Sequence, residues 1–239
     1  MVYTPVNKNR LDPELFGSGR LFDVALHDYS GNVYTSIAEA EHQFAGPGHK
    51  WPNAKKDLAK LDQKYEFYAF VDNDIEVTTQ QLNDLFLIGS REGLELFQPA
   101  LTWNSYSFHD GFLWRPRFSR RPRKHNFIEI MTPFFSKAAL EKCFESFELS
   151  ESGYGLDYIW PTILGFDGLA VIDAVRVRHR KPISSHLWRL EGGLTPMEEY
   201  AQLIQKGIVT PIVPQFSRWD RAWARIIRGL QRKWGYYPT

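Results

Sequence analysis

The chain has one cysteine, Cys143, and no apolar run approaching 18 residues. A single thiol excludes an intramolecular disulfide and fits a reducing compartment. The missing apolar run excludes a membrane-spanning helix. The opening MVYTPVNKNR has no basic-then-apolar leader pattern, so export by a recognisable route is not expected and a cytoplasmic location is. No internal repeat or low-complexity segment is present. Overall charge bias is also small, a net +1 over 239 residues. That balance hides an asymmetry. Residues 216–239 carry a net +5, and the run RPRFSRRPRK from Arg115 to Lys124 carries +6 with no acid, so the rest of the chain is at −10. Neither basic patch is accompanied by a nucleic-acid recognition motif, and the body is acidic, so nucleic acid is not an expected partner.

What is present suits a soluble globular chain, with 43% hydrophobic and 24% charged residues. Its length fits one large domain, or a domain with a small extension. Aromatics reach 15%, including eight Trp and eleven Tyr. Such rings serve packing, sugar stacking or membrane interfaces.

The most informative stretch is YEFYAFVDNDIEV, Tyr65 to Val77. Its apolar first half reads as a fully covered strand, after which the chain presents two carboxylates, Asp72 and Asp74, around Asn73. In open α/β sheets ligands bind beyond the carboxyl ends of strands, and two acids one residue apart can close on a hard cation. Left about 4 Å apart, the charges would repel by roughly 4 kcal/mol at an effective dielectric of 20. The structural alternative is a strand-to-helix turn, since Thr78 to Gln81 has capping-box spacing at the start of a helix.

Along the chain, residues 1–20 read as an irregular lead-in and Leu21–His27 as the first strand, followed by a turn at Ser30–Asn32. Pro52 suits a helix start, where Lys50, Lys55 and Lys56 gather as either a phosphate contact or a solvated face. Further strands are expected at 93–97, at 126–131 carrying Glu129, and at 169–177, with His179 just past the end. Helices are expected from about Thr79, from Lys137 to Phe147, and after Gly153-Tyr154-Gly155-Leu156-Asp157. This order argues for an α/β sheet with parallel pairs and helices packed on it. In the tail, Trp219, Trp223, Ile226, Ile227, Leu230 and Trp234 share one helical face, opposite arginines. The stripe fits an interfacial helix on an anionic membrane through residues 216–239, or docking on the chain's own core.

Five blocks, Tyr65 to Asp74, GLELFQPAL, FIEIMTPFFSKAAL, GYGLDYIWP and AVIDAVRVRH, resemble in their order a widespread family of glycosyltransferase-like proteins. That family is similar to GT-A glycosyltransferases, whose hallmark is an Asp-x-Asp metal motif. The resemblance covers about residues 20–182, and Asn73 departs from it where an acid is frequent. It implies a GT-A-like (Rossmann-like), mixed, mostly parallel central sheet flanked by helices. Residues 21–190 form the catalytic domain and 191–239 a C-terminal amphipathic helical extension. The implied activity is transfer of a sugar from a nucleotide-sugar donor to a glycan or lipid-linked saccharide in surface polysaccharide synthesis, with inversion favoured. The enzyme would be cytoplasmic or peripheral at the inner membrane face.

On the same resemblance Mn²⁺ or Mg²⁺ is held by Asp72, Asp74 and His179, and stabilises the leaving diphosphate. For His179 the alternative is a surface or capping histidine. Its neighbours Arg178, Arg180 and Lys181 are expected to depress its proton affinity and favour neutral imidazole. Asp157 is the implied general base, or else a helix cap, or both; Glu129 is the rival base or an acceptor-hydroxyl ligand. Lys50, Asp72, Arg115 and Arg117 are the donor-binding candidates, with a solvated loop as the alternative for the arginines. Two other classes stay open: a non-catalytic carbohydrate-binding or scaffold module with this fold, and a metal-dependent hydrolase, which usually needs more His and Asp ligands.

Overall fold

The computed structural model describes residues 1–6, 17–30, 40–62, 64–107, 109–116, 121–182, 188–213 and 218–234. Arg117, the Gly31-Asn32 part of the expected turn, and half of the expected lead-in, residues 7–16, lie outside them. The elements run β1 (Val2–Val6), β2 (Val24–Asp28), β3 (His42–Ala45), α1 (Lys50–Leu58), β4 (Phe67–Phe70), β5 (Ile75–Glu76), α2 (Thr79–Arg91) and β6 (Leu96–Leu101). They continue with β7 (Arg123–Lys124), β8 (Phe134–Ser136), α3 (Lys137–Cys143), α4 (Leu156–Ile163), β9 (Leu169–His179), α5 (Pro196–Gln205) and α6 (Arg218–Trp234).

The strands form one sheet of order β3-β2-β1-β4-β8-β6-β9-β5, with β7 on β9. β3, β2, β1 and β4 run parallel to one another, β8 runs antiparallel to both β4 and β6, and β6 and β9 are parallel. Six strands therefore point one way, and Val6, Asp28, Leu101 and His179 end on one edge, where the chain also leaves β4 toward Asp72. The expected mixed, mostly parallel sheet is observed.

Alternation on β4 divides the core. Tyr68 and Phe70 face a cluster with Trp51 of α1, Leu140 of α3 and Trp160 of α4. Ala69 and Val71 face the other, with Leu82 and Leu85 of α2 and Ile227 of α6. In the first cluster Trp51 meets Phe70, Phe147 and Trp160 at ring separations of 5.1, 4.8 and 4.7 Å. Such aromatic contacts add about 0.5–1.5 kcal/mol each beyond area burial. α2 starts at the expected capping box, Thr78 with Gln81.

Three expectations are corrected. Residues 2–6 are not an irregular lead-in but β1, a fully covered strand between β2 and β4. Pro5 concealed it, because proline removes a ladder donor. The Val71 amide donates to the Tyr3 carbonyl, so alternate residues of β1 face β4, and that ladder ends at Tyr3 opposite Phe70. Pro5 thus faces β4 only beyond the ladder's end. Second, residues 126–131 alternate like a strand but are irregular; the strand between β4 and β6 is Phe134–Ser136. Third, the basic stretch is not simply loop. Arg123 lies on β7 and forms a buried two-point ion pair with Asp173 at 2.9 and 3.0 Å.

Candidate active site

At the carboxyl edge of the sheet the chain leaves β4 and turns, the Ile75 amide donating to the Asp72 carbonyl at 3.0 Å. It then pairs as β5 with the end of β9, setting Ile75 opposite His179. This pairing places Asp74 beside the histidine. His179 Nε2 is 3.5 Å from Asp74 Oδ1, and Lys181 Nζ is 3.7 Å from Asp74 Oδ2. His179 Nδ1 donates to the Tyr106 carbonyl at 2.8 Å. That bond directs Nε2 toward the acid.

Asp72 is turned to a different partner. Lys50 Nζ lies 2.6 Å from Asp72 Oδ1 and donates to the carbonyls of Phe70 and Ile130 at 3.0 and 2.9 Å. The lysine thus ties the end of β4 to the segment carrying Glu129 and is engaged with protein acceptors rather than standing open to a phosphate. Lys55, its expected companion, pairs with Glu145 and Glu148. The repulsion anticipated between the two acids is met by Lys50 on one side and by His179 and Lys181 on the other. Among the described residues no three His, Cys, Asp or Glu side chains converge as a ready metal group.

Burial raises the Asp72 carboxyl, opposed by Lys50, and burial lowers the Lys50 ammonium, opposed by Asp72. For Asp74 burial acts upward, yet the hydrogen bond and charge of His179, with Lys181, hold the carboxyl below its usual range. Burial acts downward on His179, but Asp74 raises it above the ordinary histidine value. The expectation that neighbouring cations would depress it is therefore corrected. Arg178 is drawn toward Glu76 and the Asn104 carbonyl, and Arg180 toward the Asn73 carbonyl. Asp74 is the nearest charge.

Glu129 and Asp157 share a cleft of about 490 Å³ with Asp72, Asp74 and His179. Glu129 is fixed by its amide, which donates to Oε1 of the fully buried Gln98 at 2.7 Å. Burial pushes its carboxyl to about 8, with His179 opposing and Asp157 adding to the rise. Asp157 sits in the first turn of α4, where the helix dipole favours an anion. Burial raises it to about 7 against backbone hydrogen bonds at Asp157, Gly155 and Tyr158. Glu129 Oε2 and Asp157 Oδ1 are buried without a hydrogen-bond partner. Two such oxygens in one cleft are placed to meet a hydroxyl-bearing ligand.

Two glycines permit this entry into α4. A Cβ on Gly153, at φ +87°, would fall 2.4 Å from Trp51 Cδ1, and one on Gly155, at φ +96°, 2.8 Å from Val209 Cγ2. Only glycine combines that conformation with such close approach.

Several contributors were not identified from sequence. Glu199 of α5 accepts from the amides of Glu151 and Ser152 at 2.7 and 3.0 Å, clamping the loop before Gly153. Trp188, Tyr200 and Tyr158 wall the cleft; Tyr158 and Tyr200 stack at 5.7 Å, and Trp188 stacks on His49 at 5.1 Å. Asp28, at the end of β2 on the same edge, is buried with Oδ2 lacking a partner. The aromatic excess was the sole sequence signal for the wall. Arg115 is buried and lies where its charge acts on His125; it does not line the cleft.

No protein-family model matches the sequence, and no curated protein matches it. The block order noted above thus has no family model behind it. Solved structures do match in fold. Glucosyl-3-phosphoglycerate synthase from Mycobacterium tuberculosis, solved with Mg²⁺ and UDP, aligns at a TM-score of 0.52 and 14% identity over 92% of this chain and 84% of that one. Its complex with Mn²⁺, UDP and glucosyl-3-phosphoglycerate gives 0.53 and 15% over 88% and 80%. GalNAc-T7 with UDP, GalNAc and Mn²⁺ gives 0.54 and 12%, covering 85% of this chain but 47% of that chain. At these identities the likeness is one of fold, and the fold is GT-A-like.

Proposed function

We propose that the protein is a metal-dependent glycosyltransferase that moves a sugar from a nucleotide-sugar donor to a glycan or lipid-linked saccharide in surface polysaccharide synthesis. The observation that carries this reading is the meeting of Asp74 with His179 at the carboxyl edge, 3.5 Å apart, in the cleft that also holds Asp157 and Glu129. The fold neighbours solved with UDP and Mg²⁺ or Mn²⁺ support it.

Two donors, an oxygen of Asp74 and Nε2 of His179, are of the types a divalent cation takes. Against burial, His179 and Lys181 hold the Asp74 carboxyl below its usual range, and His179 presents Nε2 because Nδ1 is committed to a carbonyl, so that a cation there would take the place of the proton that Asp74 favours on the ring. An oxygen and an imidazole nitrogen suit Mn²⁺, with Mg²⁺ as the harder alternative. When bound, the ion would neutralise charge gathering on the departing diphosphate, a contribution of several kcal/mol. Asp74 and His179 would be its direct ligands. Asp72, oriented by Lys50, stands beside it as ligand or as a group meeting the donor.

Asp157 is the assigned general base. Its carboxylate takes the proton of an acceptor hydroxyl, the hydroxyl oxygen bonds to the anomeric carbon, and the bond to the diphosphate breaks with its electron pair leaving on the diphosphate. The reaction is read as inverting, which would require the base and the diphosphate to lie on opposite sides of the sugar. A carboxyl near 7 suits this step, because a base matched to the working pH gives about 10²–10⁴-fold acceleration. Glu129, higher at about 8, is protonated near neutrality and donates a hydrogen bond to acceptor or donor. Trp188 and Tyr200 offer faces on which a pyranose ring stacks.

No described helix is long and apolar enough to cross a membrane. Ile226, Leu230 and Trp234 of α6 are nevertheless exposed at 56, 41 and 62%. With the arginines of the same helix they suit an anionic surface at the cytoplasmic face, at roughly 1 kcal/mol per basic residue.

One observation favours a second reading, a non-catalytic carbohydrate-binding module. Lys50, His179 and Lys181 already balance both acids without a cation. Donor hydrolysis separates the two. Hydrolysis of a nucleotide sugar that requires Mn²⁺ and is lost in Asp74→Ala with an unchanged circular dichroism spectrum supports the transferase. No turnover across a panel of nucleotide sugars, together with no Mn²⁺-dependent thermal shift from nucleoside diphosphates, supports the binding module.

A further inference from the structure

The tail helix α6 does not dock as its apolar stripe would suggest. Its covered face includes Ala224, Ile227, Arg228 and Gln231, with Gln231 fully buried and Arg228 8% exposed. Burying an arginine and a glutamine in place of available Ile226, Leu230 and Trp234 is costly unless their donors are used. They are used on one short segment. Gln231 Nε2 donates to the Ser105 carbonyl at 2.9 Å and Arg228 Nη2 to the Ser107 carbonyl at 2.9 Å, while Arg228 Nη1 donates to Gln231 Oε1 at 2.7 Å. Ser105 and Ser107 are themselves fully buried.

Between those two carbonyls stands Tyr106, whose own carbonyl accepts from His179 Nδ1. The same segment brackets the histidine's backbone. The His179 amide donates to Ser105 Oγ at 3.1 Å, and the Tyr106 amide donates to the His179 carbonyl at 3.2 Å. Residues 105–107 are thus held by β9 on one side and by α6 on the other. We propose that Arg228 and Gln231 are positioning residues for the cation site, clamping residues 105–107 so that the Tyr106 carbonyl keeps His179 in the orientation and tautomer that present Nε2 beside Asp74. This rests on the reading of Asp74 and His179 as ligands. It adds that the C-terminal helix completes the ligand set through a second layer of hydrogen bonds, the layer whose loss typically costs 10–100-fold in metal affinity.

The test uses the full chain in three forms. Gln231→Glu keeps the acceptor for Arg228 but turns an oxygen toward the Ser105 carbonyl. Arg228→Lys keeps the charge and loses the fork. Gly229→Ala, on the exposed side of the helix with nothing within 4 Å of the added carbon, strengthens the helix without touching the clamp. Two readouts are taken, each on protein whose thermal unfolding remains cooperative. The first is the imidazole ¹⁵N spectrum at alkaline pH, with the His179 signals assigned by comparison with His179→Gln. The second is Mn²⁺ affinity from the paramagnetic resonance signal of the free ion. The wild type and Gly229→Ala should show His179 as the Nδ1–H tautomer. Gln231→Glu should mix the tautomers and weaken Mn²⁺ binding about tenfold or more, with Arg228→Lys smaller in the same direction. A cooperative Gln231→Glu or Arg228→Lys protein with wild-type tautomer and Mn²⁺ affinity overturns the proposal, and so does loss of the tautomer preference in Gly229→Ala. If Gln231→Glu does not fold, Arg228→Lys decides. If the wild type binds no Mn²⁺, the metal reading fails while the tautomer comparison still decides whether the clamp acts on His179.

Discussion

Asp157→Asn should stabilise the fold while removing turnover. The carboxyl rises from 3.8 to about 7 because it is buried. In the unfolded chain it ionises near 3.8, so between about pH 4 and pH 7 the folded state holds a proton that the unfolded state has released. Stability contributed by the neutral acid is complete below the unfolded value and is lost as pH rises through the folded one. A difference of about 3 units at 1.36 kcal/mol each is about 4 kcal/mol, an upper figure for what ionised Asp157 costs the wild type at pH 8. Asparagine keeps an oxygen for the backbone hydrogen bonds at Gly155, Asp157 and Tyr158 and never ionises. In urea titrations with chelator present, the variant should gain up to about 4 kcal/mol at pH 8 and converge with the wild type near pH 4. At roughly 2–4 °C per kcal/mol for a chain of this size, its Tm at pH 8 rises by about 10 °C. Transfer activity should fall about 10²–10⁴-fold. A variant no more stable than the wild type at pH 8, or a stability gain that does not shrink on acidification, would refute the assignment of Asp157 as a strained carboxylate.

Gly153→Ala places a methyl 2.4 Å from Trp51 in a left-handed conformation. A loss of about 2–4 kcal/mol in urea denaturation is expected, and a loss under 1 kcal/mol would show that the loop has room to shift. Lys50→Met leaves Asp72 without its ammonium partner and should cost about 3–5 kcal/mol in the absence of metal. Mn²⁺ should return part of that stability in thermal melts; no rescue would place the cation out of reach of Asp72. Replacing Ile226, Leu230 and Trp234 together by serine changes exposed positions of α6. Sedimentation with phosphatidylserine vesicles should drop by at least tenfold while the melting temperature holds, and unchanged binding would remove the membrane role of the helix.

The legibility of this chain follows from how local each signal is. Asp72, Asp74, Asp157 and His179, which the structure brings to one cleft, could be singled out because each stands where a strand or helix ends, and such ends can be read within a dozen residues. The capping box at Thr78 is of the same kind. β1 escaped because Pro5 is a strand breaker in any local rule, and only the register against β4 shows that its missing donor falls beyond the ladder. The stretch at 126–131 misled in the opposite sense. Its apolar residues divide between the two core clusters, Phe127 in one and Ile128 in the other, while Glu129 enters the cleft, so the strand-like pattern has no partner strand. The pairs that orient the acids were out of reach. Lys50 with Asp72, Glu199 with residues 151–152, and Gln231 with Ser105 join positions that no spacing rule connects, and each is a polar contact that apolar periodicity does not encode.

The same distances bear on where the catalytic unit ends. The resemblance implied a catalytic domain that ends at residue 190. Yet the loop that launches α4 is held by the Glu199 carboxylate, and the ring of Tyr200 packs against Tyr158, next to Asp157. Val209 closes over Gly155. From α6, Trp223 donates to the Trp114 carbonyl at 2.7 Å, while Arg228 and Gln231 hold the segment beneath His179. Asp157 and His179 therefore each lie against groups contributed after residue 190, and a buried polar group stripped of its partner costs about 1–3 kcal/mol. Met197 and Tyr200 line the cleft directly, whereas α6 reaches it only through the segment 105–107 that it holds. Exposure of Ile226, Leu230 and Trp234 leaves one face of α6 for a surface outside the protein, so contact made there lies one helix diameter, about 10 Å, from the groups that orient His179.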